Sequence, residues 1–117
     1  MTDRHPRWVY DSGREPDPRF SLANERTFLA WVRTALAMLA GGIALQALDV
    51  PATDWARDLL AVLLFVLGGG VTLLALVRWA RVERAMRTGE PLPSFQLGFV
   101  LTGAVVVGAA LLAVAFV

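Results

Sequence analysis

Three arginines raise the first chemical question. Arg19, Arg26 and Arg33 recur every seven residues. Seven residues are almost two helical turns, so on a helix the three guanidinium groups share one stripe that drifts only ~20° per step. Asn24 and Glu25 lie beside that stripe, and Glu25 can pair with a neighbouring arginine within the chain or across a subunit boundary. A guanidinium keeps its proton at any physiological pH, so it attracts and orients anions and does not shuttle protons. The rest of the inventory argues against catalysis. All eleven basic residues are arginine, cysteine is absent, and the single histidine, His5, sits near the start of the chain without periodicity around it. Thiolate metal sites and cysteine nucleophiles are therefore excluded. Glu25 next to Arg26 reads as an ion pair, not an acid–base couple. No enzyme activity, metal site or cofactor is expected.

Such charges need elements to hold them, and the composition says which kind. Hydrophobic residues make up 56% of the 117-residue chain, above the usual share for a soluble domain. Three apolar runs stand out, at residues 28–48, 59–77 and 97–117, the first interrupted by Arg33, Thr34 and Gln46. Each is about 20 residues long, which at ~1.5 Å per residue matches a hydrocarbon core of about 30 Å. A backbone in lipid must satisfy its own hydrogen bonds, so each run is expected to be a helix. The second and third runs lack the polar face that a soluble bundle requires. The expected fold is an all-α membrane domain over 17–117, preceded by a mobile tail over 1–16.

Topology follows from the connections. Residues 49–58 hold three aspartates and one arginine, whereas 78–96 hold Arg78, Arg81, Arg84 and Arg87 with two glutamates. Arginine-rich short loops stay in the cytoplasm, which predicts a cytoplasmic N-terminus and an outside C-terminus. Arg4, Arg7, Arg14, Arg19 and Arg26 ahead of the first span agree with that orientation. Trp55 and Trp79 bracket the second span and suit the two interfacial belts.

Asp17-Pro18 is a helix-start signal, an acceptor side chain followed by proline at the first helical position. A helix starting there carries Arg33 roughly 7 to 8 Å beyond Phe28 along the axis. Arginine at a span's centre costs about 2.5 to 3.5 kcal/mol, and less near an end. Two readings follow: the side chain snorkels to the headgroups, or the stripe faces a polar interior shared between subunits. One three-helix chain encloses no such interior, so the second reading requires several copies. Small residues four apart, Ala37 with Gly41 and Ala104 with Gly108, permit close helix contacts.

The stretch LANERTFLAWVRTALAMLAGG, residues 22–42, resembles the signature of the YidH family of small bacterial inner-membrane proteins, filed as a domain of unknown function. Its distinctive part is Asn24 to Leu29 followed by Trp31, with Thr27 and Phe28 inside it. The same pattern and the order of three spans look like the small membrane subunit of the fungal vacuolar transporter chaperone, which makes and moves polyphosphate. That resemblance implies a ring of membrane subunits, a pentamer being the first expectation, with basic positions on Arg19, Arg26 and Arg81 along the route of a polyanion. Arg33 has no basic equivalent in the fungal pattern. The catalytic and phosphate-sensing domains of the larger fungal subunits are absent, so polymer synthesis is not implied.

Two functions are expected on this basis. One is an oligomer with an arginine-lined axis passing an anion such as polyphosphate, since rings of charge select ions by field alone. The other is a non-conducting adaptor or scaffold in the inner membrane, in which Arg78, Arg81, Arg84 and Arg87 hold anionic lipid or a partner protein, each worth about 1 kcal/mol at the headgroups. The basic stretch is interleaved with acids and lies against the membrane, so nucleic acid is not an expected partner.

Overall fold

The computed structural model describes residues 4–48 and 52–116, and all regular structure among them is helical. Asp49, Val50 and Pro51 of the first connection and Val117 at the end of the third run lie outside the described residues. Among the described residues four helices occur in order: α1, Arg7–Tyr10; α2, Pro18–Ala47; α3, Asp54–Thr88; and α4, Gln96–Ala115.

The start of α2 follows the sequence signal. Asp17 Oδ1 accepts from the Arg19 backbone N–H at 2.9 Å, and Pro18 opens the helix. Proline loses nothing there, because that N–H would have no helical acceptor. The end of α3 is equally local: Gly89 turns left-handed at φ +72°, and the Glu90 N–H returns to the Ala85 carbonyl at 3.1 Å. Proline at 91 and 93 then prevents the helix from resuming.

The second connection differs from the expected loop over 78–96. Residues 78–88 continue α3, which reaches 35 residues, or about 52 Å at 1.5 Å per residue. Its polar composition marks where the helix leaves lipid, not where it stops. Buried Val71, Ala75 and Val82 repeat at helical spacing straight across Arg78. Residues 54–58 of the first connection are likewise the opening turn of α3.

α3 is the central element. It packs against α1, α2 and α4, while α2 and α4 do not pack on each other. Close approach of α2 and α3 depends on glycine. A Cβ on Gly68 would sit 3.1 Å from the Ala35 carbonyl, and one on Gly42 would press into the Phe65 ring. Elsewhere the apolar surface is bare: no span buries more than 28% of its most hydrophobic window. Leu73, Phe99 and Val106 are each more than 60% exposed. Apolar surface this extensive is stable only against lipid or other protein.

The described part of the tail expected to be mobile is packed. Val9 is fully buried, and residues 4–17 form a hook across the charged end of α3.

Candidate functional site

The α2 stripe divides into one neutralised arginine and two free ones. The Arg19 guanidinium folds back onto Asp17, the residue that caps its own helix, at 2.9 Å. That pairing and the backbone N–H of Arg19 hold the Asp17 carboxyl below the usual carboxylate range. Arg26 and Arg33 are exposed and make no hydrogen bond or ion pair with any described residue. Asn24, Ala35 and Gly42 mark the buried line of α2 against α3. At about 100° per residue, Arg26 and Arg33 stand roughly 160 to 180° from that line, so they point away from the rest of the chain. Arg33 lies level with about Gly70 of α3, given that Ala35 meets Gly68 and Asn24 meets Trp79. It is therefore about 13 to 14 Å deeper than Trp79 at ~1.5 Å per residue.

The expected ion pair of Glu25 does not form within the described chain. The positions three and four residues away on α2 are Ser21, Leu22, Phe28 and Leu29, and none carries a positive charge. The other signature residues serve packing. Phe28 and Trp31 are half-buried on the side of α2 turned to α3, and the Thr27 hydroxyl donates to the Ala23 carbonyl of its own helix.

Asn24 is the polar joint between α2 and α3. Its side-chain amide donates to the Trp79 carbonyl at 3.0 Å and to Glu83 Oε1 at 3.4 Å, while Ser21 Oγ donates to Glu83 Oε2 at 3.2 Å. Glu83 is only 3% exposed. Sequence reasoning passed over it, because it was one of two acids in a stretch read as a loop. The signal was available in the apolar repeat that carries α3 past Arg78.

The four arginines expected in the second connection also separate. Arg87 is nearly buried, and its guanidinium donates to the Ser12 and Tyr10 carbonyls and to Glu15, at 2.8, 2.7 and 2.7 Å. The Arg14 N–H donates to the Arg87 carbonyl at 2.8 Å, and Gly13, at φ +55°, passes so near that carbonyl that any Cβ would collide with it. Arg84 stacks over the Trp8 ring at 5.0 Å and reaches Ser12 Oγ at 3.4 Å. Arg4 clasps both Glu15 oxygens at 2.9 Å and lies 4.4 Å from the Tyr10 ring centre. Hydrogen bonds from Arg4 and Arg87 lower the Glu15 carboxyl below its ordinary value. Burial, with the negative charge of Glu83 next, raises the Tyr10 phenol. Arg84 and Arg87 are thus fastened to the hook and are not available as a mobile basic loop.

Arg78 and Arg81 remain. They line a cleft of about 120 Å³ between α3 and α4, and neither has a hydrogen-bond or ionic partner among the described residues. The structure does not bring Arg81 to Arg19, Arg26 and Arg33, which stand on the far side of α2.

Three long apolar helices, largely bare and charged at one end, define a small multi-pass membrane protein. A family described as a domain of unknown function (DUF202) matches residues 19–85, spanning α2 and most of α3, and the chain belongs to that family. Inner membrane protein YidH of Escherichia coli is 55% identical over 82 residues, 69% of this chain and 71% of that protein. Uncharacterized protein Rv2272 of Mycobacterium tuberculosis is 48% identical over 101 residues, 85% of this chain and 83% of its own. No solved structure matches the chain. The protein is accordingly a small multi-pass inner-membrane protein of the YidH type.

Proposed function

We propose that this chain is one subunit of a membrane oligomer in which α2 faces a shared, hydrated axis and Arg26 and Arg33 collar its cytoplasmic entrance for a phosphate-bearing anion, polyphosphate being the candidate. One observation carries this reading. Two guanidinium groups, one well below the level of Trp79, project from α2 directly away from α3 and have no partner in the described chain. A lone arginine facing lipid at that depth is costly, whereas neighbouring protomers around a common axis keep it hydrated and give it an anion to attract. The positive-inside pattern supports placing this entrance in the cytoplasm.

The test is flux in vesicles reconstituted with purified oligomer. Entry of short polyphosphate chains is expected, with a fall of tenfold or more in Arg26→Gln/Arg33→Gln. Well-formed oligomers without flux, or with flux indifferent to both substitutions, would count against the axis. The second reading, a non-conducting scaffold, is favoured by a different observation, the pair Arg78 and Arg81 at the α3–α4 cleft, which has no partner among the described residues. It predicts retention of lipid or partner protein without any flux.

A further inference from the structure

We propose that the cleft between α3 and α4 is a binding site for an anionic glycerophospholipid, with the phosphate between Arg78 and Arg81 and an acyl chain laid along the groove beneath. The site deepens the second reading above by naming its ligand, is separate from the α2 axis, and stands whether or not that axis conducts.

The cleft has the division of chemistry that a lipid has. Arg78 and Arg81 are three residues apart on one helix, so their side chains are neighbours on its surface. They stand at the level where α3 changes from apolar to charged, on either side of Trp79. Ser94 and Gln96 add polar groups across the mouth. α4 begins there without a side-chain cap, and the positive end of a helix dipole disfavours no anion at that level. Below the arginines the walls become hydrocarbon: Leu74 and Val77 from α3, Leu97 and Val100 from α4. Val100 also borders a second, deeper groove of about 320 Å³, which continues between the same two helices past Leu63 and Leu67 to Gly103. A Cβ at Gly103 would meet nothing within 4 Å, so the groove beside it is open space that a larger side chain can occupy.

Charge complementarity selects the occupant. Two fixed positive charges lack a partner among the described residues, although Glu90 lines the adjoining pocket beside Arg81 without forming an ion pair to it. A zwitterionic lipid brings its own cation to this mouth, and a free phosphate leaves the hydrocarbon groove uncovered. An anionic lipid with one phosphate and an acyl chain satisfies both parts. Guanidinium recognises phosphate oxygens through paired, charge-assisted hydrogen bonds.

The experiment uses the full-length protein, purified from vesicles of equimolar phosphatidylglycerol and phosphatidylcholine and examined by native mass spectrometry. Phosphatidylglycerol is expected to be retained at least fivefold over phosphatidylcholine, and Arg78→Gln/Arg81→Gln is expected to abolish that preference. A phosphatidylglycerol with a photoreactive acyl chain is expected to label the α3–α4 groove, and Gly103→Leu, which fills the groove and spares both arginines, is expected to reduce labelling there. The double variant's folding is checked by its helical circular dichroism. If it does not fold, the Gly103→Leu result alone decides. Equal retention of the two lipids, labelling confined to other surfaces, or full displacement of the lipid by millimolar inorganic phosphate would each overturn the site. Failure here leaves flux through the α2 axis unaffected, and failure of flux leaves lipid retention unaffected.

Discussion

Arg87 and Asn24 are the side chains on which the charged end of the molecule depends, Arg87 by gathering the hook and Asn24 by donating to a buried carboxylate. Arg87 holds two carbonyls and a carboxylate from the hook. Arg87→Ala is expected to destabilise hook docking by about 2 to 3 kcal/mol, since hydrogen bonds to a charged group are worth roughly that much. Hydrogen exchange of amides 8–14 should accelerate while the span amides stay protected. Asn24 provides the buried Glu83 with a donor. Asn24→Ala is expected to cost about 1 to 3 kcal/mol through the lost donor. Asn24→Asp is expected to cost more, because it sets a second carboxylate against the first. Thermal unfolding in detergent should place the midpoints in the order native, alanine, aspartate. Equal midpoints for the two variants would contradict a charged Glu83 at this joint.

At the scale of elements, the hook and the α2–α3 contact behave differently. The hook is held by ion pairs, so it should respond to pH. The Glu15 carboxyl is lower in the folded chain than its ordinary 4.5. Its contribution is therefore fully present above that value and is lost as pH falls through the depressed folded one. The Trp8 indole resonance in micelles is expected to stay constant from pH 8 to about 5 and to shift only under more acid conditions. The α2–α3 contact is held by fit. Gly68→Ala is expected to destabilise by about 1 to 3 kcal/mol, the usual cost of overpacking a tight contact. Gly69→Ala and Gly70→Ala are expected to be neutral or slightly stabilising, because a Cβ at either meets nothing within 4 Å. The sequence could show that glycines crowd this span, but not which one lies against a backbone carbonyl. Helix phase relative to a neighbour is a tertiary property, and three consecutive glycines carry no marker of it.

The same distinction explains what was legible for the whole molecule. Span number, the Asp17-Pro18 start and the charged entry of α2 are local properties of hydropathy and capping, and they read directly. Arg19, Arg26 and Arg33 do share a stripe, as their spacing requires, and its direction relative to α3 needed the buried line of Asn24, Ala35 and Gly42. Residues 4–17 have no periodicity because their order comes from contacts more than seventy positions away, through Arg87 and Arg84. No local pattern encodes such contacts. The second connection misled for a related reason: polarity reports exit from lipid, whereas the helix is ended eleven residues later by Gly89 and the prolines.

The central claim is that the outer face of α2 is wet. The absence of cysteine makes it directly measurable. Ala37 is exposed one turn beyond Arg33 on the same side of the helix, so Ala37→Cys carries a spin label to the proposed axis without removing an arginine. In reconstituted membranes the label is expected to collide more often with a water-soluble nickel complex than with oxygen dissolved in lipid, and to show dipolar broadening from labels on neighbouring copies. A label quenched by oxygen, inaccessible to nickel and free of broadening would place that face in hydrocarbon and contradict the account.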